Sequence, residues 1–207
     1  MEGDRFRVLG LSTSPRKGGN TDLMLDSALE GAREAGATVE KIHTPSLDIN
    51  PCRACNACFK TGRCVQKDDM QELYPKLLSY EGIILAAPIF SRGLAAQAKI
   101  VIDRLNCIWA RRSVLHEQAV GEEIRQKRRG LWLSAAGSPR SDIFEPAVPT
   151  VRYFFAMLEV KDWDSVTFSH VDEKGAIKAV VGSLELCRKA GAHIVTGPEL
   201  PGEGLPG

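Results

Sequence analysis

A chain of 207 residues that is 43% hydrophobic and 26% charged can bury a sizeable α/β core, which sets it apart from disordered sequences. A formal net charge of +1 gives no reason to expect nucleic acid or an anionic membrane as partner, and no apolar run approaches the length of a bilayer span. Six cysteines with no secretory signal ahead of them predict a reducing, cytoplasmic setting.

Phe6 to Leu11 reads as a short apolar strand, followed by a polar loop with two glycines, Ser12-Thr-Ser-Pro-Arg-Lys-Gly-Gly-Asn-Thr21. Leu23, Met24, Ala28, Leu29 and Ala32 then recur at helical spacing, with Gly36 as a natural terminator, and Thr38 to Ile42 reads as a second strand. The loop joins hydroxyls, an amide and two cations to the start of a helix, whose first N–H groups lack intrahelical partners. Such a loop suits a terminal monophosphate. The plain alternative is an ordinary capped strand-to-helix connection. Neither G-x4-G-K-[ST] nor G-x-G-x-x-G is present.

Cys52, Cys55, Cys58 and Cys64 come next, spaced C-x2-C-x2-C-x5-C. A thiol every third residue turns successive sulfurs toward one centre, and Gly62 lets the fourth close on it. The charged residues from Cys52 through Lys67 are Arg53, Lys60, Arg63 and Lys67, all cationic, a field that favours thiolates. One compressed run suits a [4Fe–4S] cluster. Zinc, redox thiols or disulfides, and unconnected buried cysteines are the alternatives.

Asp68 and Asp69 can cap a helix carrying Met70, Leu73, Leu77 and Leu78, with a break expected near Tyr74, or a helix that effectively starts at Pro75, because Pro75 lacks an N–H. Gly82 to Ala87 is a third strand, and its lack of alternation predicts burial on both faces. The loop Pro88-Ile-Phe-Ser-Arg-Gly93 follows, then a helix from Ala95 to Trp109 and a polar excursion from Arg111 to Arg129. Gly130 to Ala136 is the fourth strand, ending in Gly137-Ser-Pro-Arg-Ser141. A helix from about Ile143 to Leu158, a fifth strand from Lys161 to Phe168 and a helix from Ala176 to Ala190, capped by Gly191, complete the pattern. Cys107 and Cys187 read as buried core thiols, and the four histidines form no ligand spacing.

Five strands alternating with helices predict a doubly wound parallel sheet, which binds ligands beyond the carboxyl ends of its strands. The loops after strands one, three and four all lie there. Several motifs then combine: Ser12-x-Ser-Pro-Arg-Lys-x-Gly-Asn-Thr21, the cysteine run, Cys64-Val-Gln-Lys-Asp-Asp-Met70, Pro88 with Phe90, and Lys99 with Asp103-Arg104. Together they resemble the NADPH-dependent FMN reductase group of flavodoxin-like proteins and, within it, the iron–sulfur flavoproteins.

The resemblance implies one flavodoxin-like domain over residues 1–207, with strand order 2-1-3-4-5, a cysteine-rich loop at about 48–68, a polar insertion at about 111–129 and a Pro/Gly-rich tail over 197–207. It implies an FMN phosphate on Ser12, Ser14, Asn20 and Thr21, with Arg16 nearby. The isoalloxazine would lie across Pro88, Ile89, Phe90, Ser91 and Gly93, with Ala136 and Gly137 closing the far side. Phe90 has an alternative as a plain core aromatic. Arg92 would place a cation near the flavin, and Arg104 reads as half of a structural ion pair beside Asp103. No side chain is assigned as catalytic, because the isoalloxazine carries the redox chemistry itself. The expected function is electron transfer between a one-electron, ferredoxin-like carrier and FMN, through the cluster, to a small acceptor, in a homodimer or homotetramer whose cluster faces a neighbour's flavin. The alternatives are a cluster-free NAD(P)H-dependent FMN or quinone reductase, and a non-enzymatic flavodoxin-like carrier or thiol sensor.

Overall fold

A computed structural model describes residues 5–197, so the expectation for the tail beyond Gly197 lies outside the described residues. The strands are β1 (Arg7–Ser12), β2 (Thr38–His43), β3 (Gly82–Ala86), β4 (Ile89–Phe90), β5 (Gly93–Leu94), β6 (Arg129–Ala135) and β7 (Asp162–Phe168). Five of them form one sheet in the order β2-β1-β3-β6-β7, with every pairing parallel. The other two, β4 and β5, make a small antiparallel hairpin. Without the hairpin the order is the expected 2-1-3-4-5.

The helices are α1 (Asn20–Glu34), α2 (Cys58–Thr61), α3 (Met70–Ser79), α4 (Ala96–Arg104), α5 (Asn106–Ser113), α6 (Glu122–Lys127), α7 (Val148–Met157) and α8 (Ser183–Thr196). No described helix is long and apolar enough to cross a membrane. The sheet has a core on each face. Leu9, Leu11, Ile83, Leu85 and Trp132 pack toward α3, α4, α5 and α7. Val8, Ile84, Leu131 and Leu133 pack toward α1 and α8. Central β3 is buried along its whole length, as its unalternating apolar run requires.

Three expectations are corrected. The break at Pro75 is absent, and α3 runs through it. Pro75 is on the exposed side, and so is Gln71, so the carbonyl that loses its N–H partner belongs to a surface residue. The helix expected over 95–109 is divided at Leu105 into α4 and α5. The last helix begins at Ser183, after a 3-10 turn over Ala176–Ala179, and continues through Gly191 to Thr196. Gly191 is therefore a crossing point rather than a cap. A Cβ there would sit 1.8 Å from the Ala28 carbonyl oxygen, and one on Gly31 would sit 1.9 Å from the Arg188 carbonyl oxygen. Helices α1 and α8 meet backbone to backbone. Gly36, by contrast, does end its helix's segment, with φ of +94°.

A buried ion pair ties the base of the cysteine loop to the helix layer. Arg104, 1% exposed at the end of α4, pairs with Asp68 through both guanidinium nitrogens, one contact being 2.9 Å. Its Nη1 also donates to the Asn50 carbonyl at 2.7 Å. Asp68 accepts from the amides of Asn50 (3.0 Å) and Met70 (3.2 Å), and Asp69 accepts from the amide of Asp48 at 2.8 Å. The ion pair expected for Arg104 thus forms with Asp68, while Asp103 pairs with Lys99 at 2.7 Å. The strands of chain entering and leaving the cysteine loop are held together at residues 48–50 and 68–69.

Two outcomes follow for stability. Gly191→Ala improves helix propensity by about 1 kcal/mol, yet the added carbon collides with backbone, and such overpacking costs about 1–3 kcal/mol. The urea midpoint of the variant falls; a rise would refute the crossing. Burial alone would raise the Asp68 pKa, but Arg104 and the two amides outweigh it and hold the carboxyl below its ordinary value of 3.8. A depressed folded pKa contributes stability that is present above the unfolded pKa and lost as pH falls through the folded one. Asp68→Asn therefore lowers unfolding free energy at pH 7 by about 3–5 kcal/mol, and its urea midpoint declines less steeply than that of the unaltered protein below about pH 4.

Candidate active site

The first loop takes its shape from side chains that face inward. The Thr13 amide and hydroxyl both donate to the Ala86 carbonyl at 2.9 Å, fixing the loop to the end of β3. The Ser12 hydroxyl donates to Asp22 Oδ1 at 2.6 Å, and the Gly18 amide donates to Asp22 Oδ2 at 2.7 Å. Asp22 is 3% exposed and meets Lys41 Nζ at 2.7 Å. Burial would raise its pKa, but Lys41, Ser12 and Gly18 together hold it below the usual range. The Asp22 carboxylate behind the loop is thereby balanced by Lys41. The Arg16 amide donates to Ser14 Oγ at 3.1 Å, and Gly19 closes the turn onto the Arg16 carbonyl at 2.8 Å.

These residues form one wall of a cleft at the carboxyl edge of the sheet. Ser14, Arg16, Gly19, Asn20 and Thr21 line it on one side, with Pro88, Ile89 and Phe90 opposite. Ala135, Gly137, Val171, Asp172 and Lys174 complete it. Thr21 is 1% exposed, and its hydroxyl has no partner in the protein. A buried orphan hydroxyl costs free energy until an acceptor arrives. Gly137 has no room for a side chain, since a Cβ would come within 2.7 Å of Asp172 Oδ1. Phe90 is 46% exposed, so the plain core reading does not describe it.

Of the twelve residues expected around the flavin, Ser14, Arg16, Asn20, Thr21, Pro88, Ile89, Phe90 and Gly137 line the cleft. Ser12 stands behind it, on Asp22. The Asn20 amide group is turned to the segment after β7, donating to the carbonyls of Val171 (3.2 Å) and Glu173 (2.9 Å) and accepting from the Ile177 amide at 3.2 Å. Ala136 is buried behind the wall, where it pairs with Phe168 and Val171. Ser91 and Gly93 lie in the β4–β5 hairpin. Ser91 and Arg92 both have positive φ, 50° and 65°, a turn ordinarily made by Asn or Gly. Arg92 is tied to Asp142 at 2.8 Å, and Asp142 also binds Arg140 at 2.9 Å. Arg140 first and Arg92 second hold the Asp142 carboxyl far below its usual range.

Cys52, Cys55, Cys58 and Cys64 line one cavity, together with Arg104, Asn106 and Cys107. Cys52 and Cys55 are exposed, Cys64 is half-buried and Cys58 is buried. The connecting residues Ala54 and Asn56 have positive φ, 50° and 54°, a backbone region that non-glycine residues rarely adopt. Gly62, at φ +66°, ends α2 and turns the chain toward Cys64. Burial pushes the Cys58 thiol up, and neighbouring Cys64, Cys52 and Cys55 push it the same way. Among the described residues, no group of three or more His, Cys, Asp or Glu side chains stands ready to hold a metal ion. The sulfurs share a cavity wall without being drawn onto one point.

Several participants escape sequence reasoning. Val171, Asp172 and Lys174 follow the last sheet strand, and their position at its carboxyl end was the only available signal. Asp22 is invisible without Lys41, which comes from β2. Cys107 is buried as expected, yet it forms the inner wall of the cysteine cavity rather than standing apart from it.

A model of the NADPH-dependent FMN reductase family matches residues 6–143. An iron–sulfur flavoprotein of Methanocaldococcus jannaschii is 32% identical over 177 residues, covering 84% of each chain. Among solved structures, an NAD(P)H:quinone oxidoreductase from Methanothermobacter marburgensis superposes with a TM-score of 0.68 at 14% identity, over 95% of this chain and 100% of that one. An FMN-dependent NADH-azoreductase from Bacillus anthracis, solved with FMN, gives 0.64 at 12% identity, over 92% and 100%. At these identities the two structures speak to the fold, while the family rests on the first two matches. The chain belongs to the NADPH-dependent FMN reductase family, among the iron–sulfur flavoproteins, and is an FMN-dependent oxidoreductase.

Proposed function

We propose that the protein passes electrons between a one-electron carrier and FMN through a [4Fe–4S] cluster held by Cys52, Cys55, Cys58 and Cys64, and on to a small acceptor. The observation that carries this reading is the cavity shared by the four sulfurs, on a loop whose start at the end of β2 is bonded to the first loop of the cleft. The chain runs directly from one site to the other. At the end of β2, His43 Nε2 lies 3.1 Å from the Ser14 carbonyl, and the Thr44 hydroxyl donates to the Ser12 carbonyl at 3.3 Å. The cysteine loop begins a few residues later.

The residues fit both groups. The Thr21 hydroxyl, the backbone of the Ser14–Gly19 turn and the start of α1 hold the FMN phosphate, with Arg16 and Lys174 supplying positive charge. Pro88, Ile89 and Phe90 shield the ring from water, and Gly137 lets it approach the backbone. Four thiolates beside Arg53, Lys60, Arg63 and Lys67 match the negative charge of a cluster. When bound, FMN supplies the exchange between paired and single electrons, and the cluster supplies single-electron carriage. Cys52 and Cys55 face outward amid exposed cations, which suits docking of an acidic carrier such as a ferredoxin-like protein, or of a second subunit in a homodimer or homotetramer. NAD(P)H as donor is the second reading, favoured by the family and by the cations Arg16 and Lys174 in the cleft.

Anaerobic purification followed by iron, sulfide and flavin analysis gives about four irons and one FMN per chain, with broad brown absorbance; a yellow, iron-free protein would sink the cluster assignment. Thr21→Val keeps the shape and removes the orphan hydroxyl. A hydrogen bond to a charged group contributes about 1.5–3 kcal/mol, so FMN affinity by flavin-fluorescence titration falls roughly tenfold to hundredfold, with the urea midpoint unchanged or raised.

A further inference from the structure

Asn106 opens α5, directly after the turn at Leu105. Its side chain does not cap the helix. Instead, its Nδ2 points at Cys58 Sγ, 3.8 Å away. Among the described residues it is the one side chain whose hydrogen bond ends on any of the four sulfurs of the cysteine run. Asn106 is half-buried at the first position of the helix, and its neighbours Leu105, Cys107 and Ile108 are all buried. The turn that leads into it is fixed. Arg104, two residues earlier, is fixed by Asp68, and the Tyr74 hydroxyl donates to the Arg104 carbonyl at 2.9 Å. Cys58 is also the buried member of the four, so water competes least for its sulfur.

Hydrogen bonds to cluster sulfurs are among the factors that set a cluster's reduction potential. A donor stabilises the more electron-rich state, because reduction puts further negative charge on the thiolate and sulfide sulfurs. We propose that Asn106 is a positioning residue that raises the reduction potential of the cluster through its amide donor to Cys58. This rests on the cluster assignment above. It gives the buried cysteine a role distinct from that of exposed Cys52 and Cys55: the electron enters or leaves on the outer side, while the inner side fixes how readily the cluster accepts it.

The test uses the full chain with its cofactors, purified anaerobically, as the unaltered protein and as Asn106→Leu and Asn106→Gln. Iron and sulfide are quantified first, and the cluster is then titrated with dithionite against redox mediators and followed by electron paramagnetic resonance. Asn106→Leu retains its iron and titrates at a more negative potential, with the flavin potential unmoved. Asn106→Gln, which keeps the amide, returns toward the unaltered value. An Asn106→Leu potential equal to that of the unaltered protein overturns the proposal. So does an Asn106→Gln shift as large as that of Asn106→Leu, which would make packing rather than the donor responsible. A folded Asn106→Leu that has lost its iron overturns it too, by making the residue a holder of the cluster. If the unaltered protein carries no iron or sulfide, the cluster assignment itself has failed, and the proposal falls with it before any potential is measured.

Discussion

The Arg104–Asp68 pair is the contact on which the arrangement of the cysteine loop depends. A loop of some twenty residues that carries exposed thiols and strained backbone buries little apolar surface of its own. It needs its two ends fixed. Asp68 does so by accepting at once from Arg104, Asn50 and Met70. Both partners are almost fully removed from water. Removing either one would leave an uncompensated charge among apolar groups, which is far costlier than the net contribution of the pair itself. The same guanidinium forms part of the cavity wall. Loop closure and cavity electrostatics are thus two consequences of one side chain.

The cleft at the carboxyl edge of the sheet is organised on a different principle. Most of the first loop's polar side chains are satisfied within the protein, and the Thr21 hydroxyl is left open. Ser12, Thr13 and Asp22 are used up in holding the turn, whereas the Thr21 hydroxyl is buried without a partner. The carboxylate that would repel an anion is balanced by Lys41 from the neighbouring strand. This division of labour explains why a loop so rich in hydroxyls presents few of them to the cleft.

Much of this was legible from the residues alone. The apolar runs gave the strands their places, alternation with helices led to a doubly wound parallel sheet, and the family resemblance supplied the strand order. The compressed cysteine spacing drew attention to the cavity. What could not be read were the partnerships between distant segments. Nothing local pairs Asp68 with Arg104 rather than Arg104 with Asp103, since that choice depends on where α4 ends against the loop. Gly191 carries the ordinary signature of a helix end, and only the approach of α1 shows that the position needs a missing side chain. Pro75 looks like a helix breaker until one sees that the lost hydrogen bond faces water. In each case the deciding quantity is a tertiary contact that the local pattern does not encode.

The two sites also differ in how much chain each one needs. Every residue that lines the cysteine cavity lies between Cys52 and Cys107. The cleft, by contrast, joins Ser14 to Lys174, and Asn20 binds the carbonyls of Val171 and Glu173. During synthesis the components of the first are all present when little more than half the chain has left the ribosome. The second stays open on one side until the final strand and the segment after it have emerged. A nascent chain therefore has the four cysteines of the cavity well before it can complete the cleft, and a chain truncated before residue 171 keeps the former set while losing a wall of the latter.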